Sequence, residues 1–258
     1  HPRHAGGRGD DRALKVLLIR LRLVGDVVFT TPAVRALRRR YPDAHLTYLV
    51  EPGAAPIVRH DPALDAVIEV ARPRGLARLR YDLALARRLR AERFDLVLDF
   101  HGGPRSAWLA RATGAPRRIG YDVPGRGWLY TERRPWSPSL LPPRHSVVAQ
   151  WDLLTPLGID PPTPERDPMV MTPGPDATAR VTARLQAAGV DPSAPIVVMH
   201  VSASNPFRRW PRAAFATVAA ALATHEPSRR IIITSGPSEA EAADAVAADA
   251  AGRTGVPA

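Results

Sequence analysis

The sequence predicts an α/β chain built from two Rossmann-like domains, the second incomplete. Three observations carry this. Short apolar runs rich in β-branched residues alternate with helical stretches from residue 15 onward, the signature of a doubly wound parallel sheet. The alternation restarts after a proline-rich interruption at 156–175, so one sheet does not account for the whole chain. The restarted part holds two strand candidates, too few to bury a sheet on both faces.

The elements follow in order. KVLLIRL (15–21) reads as a strand buried on both faces, and a loop containing Gly25 and Asp26 leaves it. Thr31 and Pro32 suit a helix cap and a first helical position, ahead of an arginine-faced helix to about residue 40. A helix starting instead at Asp26 would be bent by Pro32. HLTYLVE (45–51) is the second strand and 52–59 the turn and helix after it; AVIEV (66–70) is the third strand. A helix over 81–93 leads into DLVLDF (95–100), the fourth strand. Ligands of such sheets bind at the carboxyl ends of the strands, which here are 22–26, 51–54, 71–75 and 101–106. After the proline-rich stretch come a helix (177–188), PIVVMHV (195–201), a helix (212–224), RIIITSG (230–236) and a helix (239–250). The organisation predicted is a disordered leader over 1–12, a first domain over 13–160, a linker over 161–176 and a partial second domain over 177–258.

Bulk properties narrow the function less. The 258 residues include no cysteine, which excludes disulfides and thiolate metal sites. The formal charge of +11 comes from 36 Lys plus Arg against 25 Asp plus Glu, and Lys15 is the sole lysine. The positive charge is therefore guanidinium, which suits bidentate contact with phosphate or carboxylate, whether on a substrate, an anionic membrane or a nucleic acid. Aromatic residues make up 6% and the arginines are spread along the chain, which disfavours a basic nucleic-acid-binding protein. No apolar run is long enough to span a bilayer, and the polar opening has no signal-peptide core, so a cytoplasmic location is expected.

Two places could carry chemistry. Asp26 follows a glycine at the tip of the first strand, where a carboxylate can act as a general base; the same position also suits a helix cap. HVSASNPFRRWP (200–211) leaves a buried strand with Ser202 and Ser204, then two adjacent arginines before a helix. Hydroxyls and backbone N–H groups there fit a diphosphate, with Arg208 and Arg209 as counter-charge; a turn bearing a solvated arginine pair is the other reading. Trp210 reads as a hydrophobic anchor. The first loop lacks the G-x-G-x-x-G turn of a dinucleotide-dependent oxidoreductase, since Gly25 stands alone.

Four stretches, IRLRLVGDVVFTTPAVRALRRRYPDAHLTYLVEP, FDLVLDFHGGPRSAWLARATGAPRRIGY, HSVVAQWDLLTPLG, and IVVMHVSASNPFRRWPRAAF with ITSGPSEAE, resemble the heptosyltransferases of bacterial lipopolysaccharide synthesis, glycosyltransferase family nine. The resemblance runs from Lys15 to the last residue. It implies a GT-B type, inverting transferase that moves a heptose from ADP-heptose to a lipid A-linked inner-core acceptor. Asp26 would be the catalytic base, and no metal or other cofactor is implied; the chain has no D-x-D pair, so arginines would replace a divalent ion.

By the same resemblance, Ser202 and Ser204 match the donor-phosphate positions, with Arg208, where many relatives have lysine, and Arg209. Glu239 matches an acidic position that contacts the donor nucleoside; a carboxylate at a helix N-terminus is a sufficient structural reason for it as well. Gly25, Arg72, Arg74 and Arg105 are assigned to the acceptor. The protein is expected to be a monomer in peripheral contact with the inner leaflet of the cytoplasmic membrane. The family continues with an acidic, glycine-containing turn and a histidine, so the resemblance implies a chain truncated inside the second domain and of low turnover. The same architecture also admits an epimerase or hydrolase of a nucleotide-sugar.

Overall fold

The structure is a computed structural model that describes residues 12–135, 144–203 and 205–254. Of the expected leader only Arg12 is described, its guanidinium bonded to Asp95 Oδ1 at 2.7 Å and to the Arg93 carbonyl at 3.0 Å; residues 1–11, and Ser204 among the site residues, lie outside the described residues. The chain divides into two compact units, His1–Gly174 and Pro175–Ala258.

The first unit is a six-stranded parallel sheet in the order β3-β2-β1-β4-β5-β6. β1 (Lys15–Ile19) lies between β2 (His45–Val50) and β4 (Leu96–Asp99), with Leu17 opposite Thr47 on one side and Val97 on the other. Alternation along β1 builds two cores. Val16 and Leu18 face Val34 and Leu37 of α2 (Thr31–Arg40) and Trp151 of α5 (Ser146–Trp151). Leu17 and Ile19 face Leu85 and Leu89 of α3 (Gly75–Ala91) and Leu109 of α4 (Pro104–Ala112). Each such buried leucine contributes roughly 1.5–3 kcal/mol of transfer free energy, so the near-continuous apolar strands are what the two helix layers require.

Between β1 and α2 the chain forms a short helix, α1 (Val24–Val28), and α2 then starts afresh with Pro32 in its first turn. Both sequence readings of this region therefore hold in part. In place of the helix expected over 52–59 there is one 3-10 turn, Ala55–Ile57. β3 (Ala66–Glu69) is followed by α3, which begins six residues before the expected 81 because Gly75, at φ 61, turns the chain into it. β5 (Arg117–Asp122) and β6 (Glu132–Pro135) complete the sheet, and Pro135 is tolerated because β6 is an edge strand.

The proline-rich segment read as a linker packs on the first unit as far as Gly174. The buried Asp167 carboxylate pairs with Arg39 and with Arg166 Nε at 2.8 Å, and Val170 N donates to Thr31 Oγ1 at 3.2 Å. In the second unit, α6 (Pro175–Ala187) precedes a parallel pair, β7 (Ile196–His200) and β8 (Arg230–Thr234). α7 (Arg212–His225) and α8 (Ala240–Thr254) complete it. Its buried apolar residues, among those described, are Ala216, Ala219, Ala220, Ala243 and Val246. Among the described residues no helix is long and apolar enough to cross a membrane.

Candidate active site

Asp26 sits in the first turn of α1, beyond the carboxyl end of β1, with its side chain 28% exposed. It caps nothing: the residue before α1 is Leu23, at φ 63, and neither α1 nor α2 has a side-chain cap bond at its N-terminus. Its carboxylate pairs instead with the Arg20 guanidinium. Arg20 is the first polar residue after β1, and its Nη1 donates to the Phe100 carbonyl at 2.5 Å, tying the tip of β1 to the tip of β4. Gln150 of α5 donates from Nε2 to the Asp26 carbonyl at 3.5 Å. Gly25 is exposed, and a Cβ there would meet no protein atom within 4 Å, so the surface beside Asp26 is open.

The loop after β4 forms the adjacent wall. Asp99 is fully buried and accepts from His101 N at 2.9 Å, from Gly102 N at 3.1 Å and from the Tyr130 hydroxyl at 2.7 Å. Burial raises its pKa above the usual carboxylate range against the pull of these donors. Gly102 adopts φ 64, and a Cβ at Gly103 would come within 2.9 Å of the His101 ring. This brings the imidazole into the field of Arg20, Arg22, Asp26 and Arg72. Burial, reinforced by the arginines, pushes the His101 pKa down to about 4, so the ring is neutral at physiological pH. Its Nδ1 is buried without a hydrogen-bond partner.

The acceptor residues divide. Arg72 and Arg74 are exposed between β3 and α3 and take part in no salt bridge among the described residues. Arg105 differs from them: its side chain is 8% exposed and ion-paired within the first unit. Nε and Nη2 donate to Asp82 Oδ1 at 3.1 and 2.6 Å, Nη2 also reaches the Ala71 carbonyl at 2.8 Å, and Nη1 lies 3.7 Å from Glu51. Arg105 thus ties α4 to α3, to the end of β2 and to the loop bearing Arg72, while its buried Nη1 has no hydrogen-bond partner among the described residues.

In the second unit three of the predicted donor residues come together. Ser202 Oγ accepts from Gly236 N at 2.8 Å, joining the loop after β7 to the loop after β8. Arg209 donates from Nε to the Ala203 carbonyl at 2.8 Å and pairs through Nη2 with Glu239 at 2.8 Å. Arg208 ends the 3-10 turn Pro206–Arg208 and is exposed. Trp210 is half exposed and packs edge-on against Phe215, their ring centroids 5.1 Å apart. Among the described residues no three His, Asp or Glu side chains are gathered as a metal site.

Sequence reasoning missed Arg20, His101 and Gln150. For Arg20 a signal existed: it is the one charge inside the apolar run KVLLIRL after its first residue, six positions before Asp26.

Two Rossmann-like units in succession, the first with a carboxylate beyond the tip of its leading strand, have the GT-B type of fold. The family model for glycosyltransferase family 9 (heptosyltransferase) matches residues 82–255, and the chain belongs to that family. It is 29% identical over 224 residues to lipopolysaccharide heptosyltransferase 3 of Escherichia coli, covering 84% of this chain and 62% of that protein. It is 30% identical over 213 residues to lipopolysaccharide heptosyltransferase 1 of Pseudomonas aeruginosa, covering 78% of this chain and 55% of that protein. The chain therefore spans less than two thirds of these relatives. In fold it is similar to a family 9 glycosyltransferase from Veillonella parvula, with a TM-score of 0.81 and 21% identity over 91% of this chain and 66% of that one. It is also similar to E. coli heptosyltransferase WaaC with ADP, with a TM-score of 0.64 and 23% identity over 91% of this chain and 71% of that one.

Proposed function

We propose that the protein acts as an inverting heptosyltransferase, moving a heptose from ADP-heptose to the lipid A-linked inner core, with Asp26 as general base and no metal ion. The observation that carries this reading is the placement of Asp26: partly exposed at the carboxyl end of β1, held by Arg20, and not spent as a helix cap. In the reaction, the carboxylate takes the proton of the acceptor hydroxyl as that oxygen attacks the anomeric carbon, and the bond from this carbon to the diphosphate breaks. Arg208 and Arg209, with Ser202 and Ser204, receive the charge of the departing ADP. Glu239 holds Arg209 in place through its salt bridge and is assigned to the donor nucleoside. Arg72, Arg74 and the open surface at Gly25 are assigned to the acidic acceptor. The relatives named above support the class of reaction, and the enzyme works as a monomer at the inner leaflet of the cytoplasmic membrane.

Asp26→Asn tests the proposal. Transfer falls by about 10²–10⁴-fold, the range of general-base contributions, while ADP affinity stays within about threefold. Near-normal turnover by the variant would falsify the assignment. Product analysis with and without acceptor separates transfer from hydrolysis or epimerisation of the donor: the expected glycosylated product forms only with acceptor present.

A further inference from the structure

α3 is built to be buried on one side only. Asp82, Leu85, Ala86 and Leu89 turn inward and Arg80, Arg87 and Arg88 face away from them, yet the flank between the two sides holds three exposed leucines. Leu76, Leu79 and Leu83 project outward with 79%, 58% and 40% of their surface exposed. At 100° per residue these three fall within a 60° arc, and Arg80 and Arg87 flank them on the same side. Single exposed leucines are ordinary; three on one helical face rimmed by arginines mark a contact surface. Arg80 and Arg87 take part in no salt bridge among the described residues, and the one acid of α3, Asp82, is turned inward to Arg105.

We infer that this outward face of α3 is where the protein docks on an anionic lipid bilayer, its leucines entering the acyl boundary and its arginines meeting the headgroup phosphates. Charge complementarity selects this occupant. A second copy would bring the same arginines against these, on a chain of net charge +11, whereas an anionic leaflet attracts them. Arginine stems cover apolar surface while their heads stay at headgroup level, which suits an interfacial helix. α3 begins at the carboxyl end of β3, on the same edge of the sheet as Asp26, so docking there keeps that edge near a lipid-borne sugar. The placement rests on the lipid-linked acceptor proposed above, but vesicle binding is measurable without any acceptor.

The test is sedimentation of the chain with acceptor-free vesicles of phosphatidylcholine, with and without phosphatidylglycerol. The wild type pellets with the anionic vesicles. The L76S/L79S/L83S variant binds them at least about tenfold more weakly, and R80Q/R87Q weakens binding and flattens its salt dependence. All five positions are exposed, and an unchanged far-UV spectrum and melting temperature confirm that each variant is folded; the single Leu76→Ser, at the most exposed position, serves if the triple variant is not. Equal binding by the leucine variants, no anionic binding by the wild type, or dimer formation in place of vesicle binding would each overturn the surface. Transfer to a deacylated, water-soluble acceptor reads the catalytic proposal separately, since the leucine variants keep it if that proposal holds.

Discussion

Arg20 governs what Asp26 is free to do. A carboxylate on a five-residue helix has little to hold it, and here the restraint is one guanidinium already fixed by the Phe100 carbonyl. Arg20→Met removes that restraint and leaves the Phe100 carbonyl without its donor. The expected result is roughly 10- to 100-fold lower kcat from a misplaced base, with little change in donor KM, and partial recovery in Arg20→Lys. The loss of the buried contact costs about 1–3 kcal/mol in a denaturant titration. His101 makes a prediction of opposite kind. Its ring is buried neutral, with its pKa down at about 4 against the ordinary 6.5 of an unfolded chain. Between these values the unfolded state takes up a proton that the folded state refuses, so stability is lost as pH falls from 6.5 toward 4. His101→Gln cannot take up that proton. Its melting temperature relative to wild type rises as pH is lowered through this window and is flat above pH 7; a constant offset at all pH values would refute the assignment. Asp26 was legible in the sequence because a carboxylate after glycine at a strand tip is a local pattern. Arg20 was marked only by its charge inside an apolar run, since its tie to the Phe100 carbonyl comes from a distant part of the chain, and His101 was not marked at all, because it matters through burial.

At the level of elements, strands announced themselves as apolar runs: β1, β2, β4, β7 and β8 lie where the sequence placed them to within about two residues, although only β1, β2 and β4 of these are sealed on both faces. β5 and β6 did not, since RRIGYD and ERRP keep their arginines at the sheet margin and bury only a few side chains. α4 and α5 were likewise unread within stretches quoted only for their family likeness. Arg105 shows what reading a charge by its place in a loop leaves out. At a strand's carboxyl end an arginine suits an anionic ligand, but this one is claimed by Asp82 and Glu51, which lie 23 and 54 positions earlier in the chain. Arg105→Met therefore acts on packing. It leaves the Asp82 carboxylate with Arg78 at 3.6 Å as its remaining cation and should cost about 2–4 kcal/mol in stability. Acceptor KM at a temperature well below the melting point stays near wild type, whereas Arg72→Gln raises it without lowering stability. A large KM effect in a fully stable Arg105→Met protein would return Arg105 to the acceptor.

Across the whole molecule the two units differ in what holds them together. In the first, Val16, Leu17, Leu18 and Ile19 of β1 are sealed between two helix layers, and Asp99 and Asp167 are buried with their hydrogen bonds satisfied. In the second, four alanines and one valine are the buried apolar side chains among the described residues, and Val198 in the middle of β7 remains largely exposed. Alanines bury little apolar area, so at roughly 25 cal/mol per Å² the transfer free energy holding β7 to β8 is a small fraction of that holding β1 to β2. The backbone pairing of the two strand pairs is alike, both parallel and both in register over five residues, so any difference in opening comes from the side chains around them. Native-state hydrogen exchange reads this directly, because each amide reports the free energy of the opening that exposes it. The Leu17 and Leu18 amides of β1 should exchange only through opening of the whole first unit, and those of Val197 and Met199 at least about 10³-fold faster. Addition of ADP should slow exchange in the second unit and leave β1 unchanged, since a ligand stabilises the state that binds it. Equal protection of β1 and β7 in the free chain would show that the second unit draws stability from contacts other than its own core.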